Sequence, residues 1–242
     1  TRETAAALTG GEHRCELAVL YPSTSLACQI LPPGHSYREL PDEPIIHGLV
    51  EQLLSHQRDF DFIDEITLQE SVDAAGRLTT PEPYRVIVLP HVRYIERATA
   101  DVLSRFVRAG GRVLVVGPSP RLIGRDLGEP LGEWTDPKIE RCDALDERRL
   151  AGLPGMAVAG EGACDIFVLA RRKDGRDLTF IFNRAERPFA GQVAGRSVWV
   201  APRGSVLLRD GEAAPCPTAG TVEAADLSLG WRVRFEPNQL PL

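Results

Sequence analysis

The sequence lacks a net positive charge and a long apolar run, and both absences narrow the choice of partner. Of its 28 basic residues only Lys138 and Lys173 are lysines, and 34 acidic residues leave a net charge of −6. Phosphate binding needs clustered basic side chains, so we expect no nucleic-acid partner. No apolar stretch approaches the roughly 20 residues that span a bilayer, and no signal peptide is evident. We therefore expect no membrane partner either, while the cellular compartment stays open.

Close cysteine pairs and phosphate-binding glycine loops are also lacking. The chain has five cysteines, none in a Cys-x-x-Cys pair: Cys15, Cys28, Cys142, Cys164 and Cys216. Because metal sites built on cysteine rely on such close spacing, the pattern predicts buried free thiols and no metal site. No Gly-x-Gly-x-x-Gly follows the first predicted strand, so nothing there would hold a pyrophosphate. We expect no cofactor.

The clearest pattern present is a strand–helix–strand unit over Tyr84–Pro120. Arg85–Pro90 and Arg112–Gly117 are apolar without alternation, which is typical of strands buried on both faces of a parallel sheet. A helix with one apolar face lies between them, and Gly110-Gly111 is predicted to end it. The apolar face consists of Ile95, Ala98, Val102, Leu103, Phe106 and Val107. The charged face consists of Arg97, Asp101, Arg105 and Arg108.

The residues before this unit continue the alternation of strands and helices. Thr1–Arg14 is predicted to be a polar linker, and the proline-rich Leu31–Pro44 an irregular excursion over the surface. Strands are predicted at Glu16–Tyr21 and Phe60–Ile63, and helical segments at Ile45–Gln57 and Thr67–Val72. The alternation from Glu16 to Gly117 predicts a flavodoxin-like, doubly wound parallel sheet.

After Cys164 the pattern changes to short β-rich runs separated by turns. One more helix is predicted near Asp143–Leu150, and Lys173-Asp174-Gly175 is a hairpin signal. The strands are predicted at Asp165–Ala170, Asp177–Phe182, Ser197–Ala201 and Ser205–Arg209. The fold class is thus α/β, a flavodoxin-like doubly wound parallel sheet followed by a small antiparallel β domain. The predicted domains are 1–155 (α/β), 156–220 (antiparallel β) and 221–242 (a linker and the start of a further β-sandwich).

Six polar residues follow the predicted strands and define a candidate cleft. Ligands of open α/β sheets bind beyond the carboxyl ends of the strands. Those ends carry Ser23, Thr24, Asp64, Glu65, His91 and Ser119. Asp64-Glu65 with His91 would suit acid–base catalysis, but a helix N-terminus also favours acidic residues, and a loop histidine is commonly solvated. No Gly-x-Ser-x-Gly or Gly-x-Cys-x-Gly is present, so no catalytic residue is assigned.

With these segments placed, the chain resembles a known family. Asp59–Glu70, Gly76-x-Leu78, YRVIVLPHV and RFVRAGGRVLVVGPSP resemble the flavodoxin-like domain that follows the catalytic barrel in large glycoside hydrolases of the α-L-rhamnosidase type. The likeness to β-galactosidases, whose corresponding domain mediates trimerisation, is more distant. Val168–Pro188 resembles the next segment of the same enzymes. The domain also resembles class I glutamine amidotransferases in fold, but it lacks their elbow cysteine.

The resemblance implies a non-catalytic accessory or structural module of a sugar-cleaving enzyme. Its partners would be the other domains of the parent glycoside hydrolase, with a homo-oligomer as a further option. Near the end of the chain, Gly-Trp-x-Val-x-Phe-x-Pro resembles the opening strand of a galactose-binding-like β-sandwich in those enzymes. Two alternatives stay open. One is a free-standing small-molecule-binding protein that uses the strand-end cleft, and the other is a self-contained hydrolase of amidotransferase type.

Overall fold

The computed structural model describes residues 2–29, 33–36, 39–124 and 132–213. The predicted C-terminal segment 221–242 lies outside these residues. The helices are α1 (Arg2–Leu8), α2 (Ser23–Ala27), α3 (Glu43–Ser55), α4 (Glu65–Glu70), α5 (Arg97–Arg108) and α6 (Glu147–Ala151). The first eight strands are β1 (Glu12–His13), β2 (Leu17–Leu20), β3 (Asp61–Ile63), β4 (Val86–Pro90), β5 (Tyr94–Glu96), β6 (Arg112–Val116), β7 (Arg121–Ile123) and β8 (Glu140–Cys142). The remaining strands are β9 (Val158–Ala159), β10 (Ile166–Lys173), β11 (Arg176–Asn183), β12 (Phe189–Val193), β13 (Arg196–Val200), β14 (Ser205–Arg209) and β15 (Glu212–Ala213).

A five-stranded parallel sheet is the centre of the first half. Its order is β3-β2-β4-β6-β8, and all four pairings are parallel. Every residue of β2 and β4 is buried, as uninterrupted apolar runs predict for inner strands. The four predicted strands of this half are confirmed, each with ends shifted by a residue or less.

Helices cover both faces of this sheet. On one face α4 and α5 pack through Leu68 and Phe106 against alternate strand residues such as Ile87. On the other face α3 and α6 pack through Leu53 and Leu150. Successive side chains of a strand point to opposite faces, so each strand supplies both cores. The mixed α/β architecture with a parallel sheet is confirmed.

The helix α5 has the predicted buried face, with two corrections at its beginning. Val102 and Phe106 are buried, but Ala98 is exposed. Ile95 is buried in the short strand β5, before the helix begins. At the other end, Gly110 (φ +102°) and Gly111 donate their N–H groups to the carbonyls of Val107 and Phe106. This is a Schellman cap, and it confirms the predicted helix end.

The second half is antiparallel, as predicted. One sheet has the order β1-β10-β11-β14-β15 and a smaller one the order β13-β12-β9. Their facing side chains form a separate core that includes Ile166, Ile181 and Val200. Asp174 (φ +51°) and Gly175 (φ +76°) join β10 to β11, and Lys173 pairs with Arg176. Two positive φ values in a two-residue loop define the tight hairpin that the Asp-Gly signal predicts.

The prediction of a polar linker at Thr1–Arg14 is wrong. The helix α1 occupies part of this segment, and β1 pairs antiparallel with β10, His13 opposite Arg171. His13 is buried, whereas Glu12 is exposed. The N-terminal strand therefore belongs to the antiparallel sheet, although it precedes the parallel one in the chain. The domain boundary near residue 155 remains a prediction.

Three further details differ from the sequence prediction. The irregular excursion ends earlier than predicted, because α3 begins at Glu43 and takes Pro44 into its first turn, where a missing N–H costs nothing. The helix predicted near Asp143–Leu150 is confirmed only as α6, which Asp146 caps. The parallel pair of β5 and β7 was not predicted, since each strand has only three residues. Among the residues described, no helix is long and apolar enough to cross a membrane.

Candidate functional site

At the carboxyl ends of β2 and β4 lies an ion pair between a buried carboxylate and a half-exposed arginine. Asp42, at the start of α3, is 1% exposed, and its oxygens accept hydrogen bonds from Arg93. Nε of Arg93 is 2.6 Å from Oδ2 and Nη2 is 2.9 Å from Oδ1. Gln29 adds a third donor, with Nε2 3.0 Å from Oδ2. This two-point geometry fixes the orientation of the guanidinium and raises the pKa of Arg93.

Ser25 holds the backbone that leaves β4. Its hydroxyl oxygen accepts the N–H groups of Arg93 and Tyr94, each at 3.0 Å, and its hydroxyl donates to the carbonyl of Tyr94 at 2.9 Å. The residue is fully buried. Ser25 therefore fixes the backbone between β4 and β5, and it keeps Arg93 facing Asp42.

His91 occupies a strained position directly after β4. Its φ is +50°, a region that non-glycine residues rarely adopt, and its N–H donates to the carbonyl of Val116 at 2.8 Å. Nε2 lies 3.4 Å from Oδ1 of Asp42. The ring packs on Gly117, where a Cβ would come within 2.9 Å of Nδ1. Glycine is therefore required opposite His91.

The structure gives Asp64 and Glu65 structural partners. Oδ1 of Asp64 accepts the N–H of Thr67 at 2.7 Å, which caps α4 and holds the pKa of Asp64 below its usual value. Glu65 is buried, and its Oε2 accepts the N–H of Glu96 and the hydroxyl of Thr99 at the start of α5. The carboxylate beside His91 is Asp42, which the sequence interpretation did not include.

Ser23 and Thr24 lie in the first turn of α2, while Ser119 lines an open cleft of about 600 Å³. This cleft follows β6 and β8 and is also lined by Arg141, Cys142 and Arg149. Arg141 donates to the carbonyls of Trp134, Asp136 and Ile139, and Arg149 pairs with Asp146. Burial raises the pKa of the Cys142 thiol. The cleft thus has polar walls, two basic groups that already have partners, and a thiol that is not activated.

A second cluster of polar side chains lies at the opposite, amino-terminal edge of the parallel sheet. Nε2 of His13 is 2.7 Å from Oδ2 of Asp59, and its Nδ1 is 2.9 Å from Oδ1 of Asp61. The hydroxyl of Tyr84 donates to Oδ2 of Asp61 at 2.8 Å. The thiol of Cys15 donates to the carbonyl of Leu17 at 3.0 Å. Three neighbouring strands bring these groups together, because Cys15 precedes β2, Asp61 begins β3 and Tyr84 precedes β4.

The electrostatics of this cluster follow from its burial and its carboxylates. The hydrogen bonds that His13 donates to the carboxylates of Asp59 and then Asp61 raise the pKa of His13 to about 9, against the opposing effect of burial. Burial alone would raise the pKa of Asp61, but hydrogen bonds from His13 and Tyr84 hold it below its usual value. Burial raises the pKa of the Cys15 thiol to about 12. Burial and then Asp61 also raise the pKa of Tyr84.

Sequence analysis missed this cluster. A ring nitrogen of His13, Sγ of Cys15 and a carboxylate oxygen of Asp61 lie within 4.8 Å of one another, so the three could hold a metal ion. The prediction of no metal site considered only cysteine pairs. A usable signal was present in His13-x-Cys15 and in Asp59-x-Asp61, which would each place two donors on one side of an extended chain. The linker assigned to Thr1–Arg14 removed the histidine from consideration.

The fold, a parallel sheet with helices on both faces followed by antiparallel sheets, matches solved glycoside hydrolase structures. A rhamnosidase from Novosphingobium sp. PP1Y matches with a TM-score of 0.53 and 16% identity, over 92% of this chain and 25% of that one. A β-galactosidase from Bacillus circulans sp. alkalophilus matches with a TM-score of 0.56 and 12% identity, over 84% of this chain and 42% of that one.

A GH42 β-galactosidase from G. stearothermophilus gives a TM-score of 0.53 and 12% identity, over 87% of this chain and 42% of the enzyme. The chain therefore spans about a quarter to two fifths of these structures. At such identities the likeness establishes the fold. No family model and no curated protein matches the sequence significantly.

Proposed function

We propose that this chain is a non-catalytic accessory domain of a glycoside hydrolase that acts on rhamnosides or β-galactosides. The observation that carries the proposal is the match of both halves of the chain, in one alignment, to a part of a rhamnosidase. A match over 92% of this chain but 25% of that enzyme is what a module of a larger enzyme would give. The catalytic machinery would then lie outside this chain.

We further propose that the α/β half is a flavodoxin-like domain. Counted along the chain, the parallel strands stand in the order second, first, third, fourth and fifth. That order, with helices on both faces, is the one that flavodoxin-type doubly wound sheets have. Its topological switch point lies between β2 and β4, where the order reverses.

The switch point supports a structural role for this domain. Doubly wound sheets bind ligands in the crevice at this point. Here the Asp42–Arg93 ion pair and the Ser25 hydroxyl occupy it, and Asp42, Ser25 and Val92 are almost completely buried. A ligand at this place would have to displace a bidentate ion pair, which favours a scaffold over a binding site.

Contacts between the two halves also suit a rigid spacer. Nε2 of Gln57 donates to the carbonyls of Ala163 and Ile166 at 2.8 and 2.9 Å. Arg184 bridges Glu51 of α3 and Asp165, at 2.5 and 3.2 Å. A domain that must hold its neighbours in a large enzyme at a fixed distance needs such cross-links, because its two sheets would otherwise rotate against each other.

A second candidate function is small-molecule binding at the cleft lined by Ser119, which its volume of about 600 Å³ would allow. The amidotransferase-type alternative has less support. Among the residues that the structure describes, the non-glycine positions with positive φ include His91 but no serine or cysteine. The strained turn after β4 therefore presents no nucleophile.

The proposal is tested with nitrophenyl rhamnoside and galactoside, assayed with the purified chain and with the complete protein of its natural open reading frame. We expect no turnover by the chain, because glycosidases need two carboxyl groups about 5–10 Å apart across the scissile bond. Turnover should appear in the longer protein and be lost on substitution of carboxylates outside this chain. Turnover by the chain itself, abolished by one point mutation within it, would refute the proposal. Saturable binding of a small metabolite that Arg149→Ala removes would instead favour the second candidate.

A further inference from the structure

We propose that His13, Cys15 and Asp61 form a binding site for a divalent cation of the zinc class. The three side chains offer an imidazole nitrogen, a thiolate sulfur and a carboxylate oxygen, which are the three donor types that zinc takes in proteins. They come from two elements of the fold, the N-terminal segment and the edge strand β3. A hard cation such as Mg²⁺ would prefer oxygen ligands alone, so the presence of sulfur and nitrogen selects zinc.

The distances fit such an ion. Tetrahedral zinc with nitrogen, oxygen and sulfur ligands holds these atoms about 3.3–3.8 Å apart. Nδ1 of His13 is 2.9 Å from Oδ1 of Asp61, and all three donor atoms lie within 4.8 Å of one another. The one separation that joins two of the donors directly is shorter than zinc requires, and binding would widen it as the ion takes the place of the proton between His13 and Asp61.

The surroundings of the three donors are those of a built site. A metal-binding histidine ordinarily donates its other ring N–H to a carboxylate, which fixes the ring and its tautomer. Nε2 of His13 lies 2.7 Å from Oδ2 of Asp59, so that partner is already in place. Tyr84 holds the second oxygen of Asp61 at 2.8 Å. His13 and Asp61 thus each have a hydrogen-bond partner, Asp59 and Tyr84, that would hold the ligand in place around an ion.

A cavity next to Cys15 would supply the fourth ligand. Cys15 and Asp59 line a cavity of about 510 Å³ between the amino-terminal edge of the parallel sheet and the antiparallel half. Water from this cavity could complete the tetrahedron. On binding, a Zn–S bond replaces the S–H bond of Cys15 and a Zn–N bond replaces an N–H bond of His13. The released protons pass to solvent, and no oxidant or reductant is needed.

The experiment uses the purified chain, freed of metal with a chelator, and titrates it with Zn²⁺ by calorimetry and with Co²⁺ by absorption spectroscopy. We expect one ion per chain, and a sulfur-to-cobalt charge-transfer band with the ligand-field bands of tetrahedral cobalt. Cys15→Ser should remove the charge-transfer band and weaken zinc binding at least tenfold. Asp59→Asn, which alters only the outer partner of His13, should weaken binding by about 10–100-fold and keep the band.

The matched control retains Cys15 and replaces the other four cysteines with serine: Cys28, Cys142, Cys164 and Cys216. This variant should keep both the cobalt band and the zinc affinity of the unmodified chain, so it also covers the case in which Cys15→Ser fails to fold. Absence of the band in the unmodified chain would overturn the proposal. Equal zinc affinity with and without Cys15, or loss of the band in the control, would do the same.

Discussion

The side-chain nitrogen of Gln57 lies 2.9 Å from the carbonyl oxygen of Ile166 and joins the end of α3 to the first residue of β10. The same nitrogen is within 2.9 Å of the carbonyls of Ser55 and Ala163. The backbone carbonyl of Gln57 accepts the N–H of Met156. One buried residue thus donates to carbonyl groups of both halves of the chain and accepts a hydrogen bond from the second half.

Gln57→Ala should destabilise the protein by about 1–3 kcal/mol, because it leaves buried carbonyl groups without a donor. Urea unfolding monitored by circular dichroism measures the change. Gln192→Ala is the matched control, since Gln192 is exposed in β12 and should change stability by less than about 0.5 kcal/mol. Equal losses in the two variants would show that the buried amide does not join the halves.

Arg93→Ala should be among the most damaging charge removals, because it leaves the carboxylate of Asp42 buried without its main partner. Breaking a fully buried pair costs about 3–5 kcal/mol, and the half-exposed Arg93 should lower this to about 2–3 kcal/mol. Arg112→Ala is the control. It breaks a pair with Glu140 in which both partners are exposed, and should cost less than about 1 kcal/mol. Thermal and urea unfolding would contradict the expectation if Arg112→Ala cost as much as Arg93→Ala.

Phe106→Ala should cost about 3–5 kcal/mol, since the ring is buried between α5 and the sheet. The ring also packs against Gly111, where a Cβ would lie 2.3 Å from it. Arg108→Ala, on the exposed side of the same helix, should change stability by less than about 0.5 kcal/mol. Chemical denaturation of both variants tests the orientation of α5, and a similar loss in each would contradict it.

Asp64→Ala should cost about 0.5–2 kcal/mol at neutral pH, because it removes the cap of α4. The pKa of Asp64 is lower in the folded chain than in the unfolded chain, so the stabilisation from its charge is present above the unfolded pKa and is lost as the pH falls through the folded pKa. The stability difference between the unmodified chain and Asp64→Asn should therefore shrink on acidification. Unfolding measured across acidic pH would contradict this if the difference stayed constant.

The sequence predicted those parts of the fold that carry a local, repeated signal. Every residue of Val86–Pro90 is buried, and an uninterrupted apolar run rich in β-branched residues is typical of strands covered on both faces. In α5 Val102 and Phe106 are four residues apart and therefore lie on one face of the helix, and that apolar face is the buried one. Asp-Gly at Asp174-Gly175 predicted the hairpin because few other residue pairs adopt two positive φ values.

The missed features depend on partners that are far away in the sequence. β1 has two residues, and only its pairing with β10 makes it a strand. Asp42 lies in a proline-rich stretch, before β3 and β4 in the chain, and Arg93 follows these strands. The sequence does not show that the two side chains will form an ion pair. The cluster of His13 and Asp61 is of the same kind. Such pairs leave no periodicity, so their chemistry becomes visible only when the strands are placed side by side.

The pairing of β1 with β10 also sets the order in which this protein can be completed during synthesis. The strand β1 precedes the parallel sheet in the chain, whereas its partner β10 is translated only after the whole of that sheet. Until then His13 and its neighbours have no antiparallel sheet to join, and the cavity beside Cys15 has only one wall. β1 can therefore join its sheet only after β10 has been made, and β10 adds part of the second wall of that cavity.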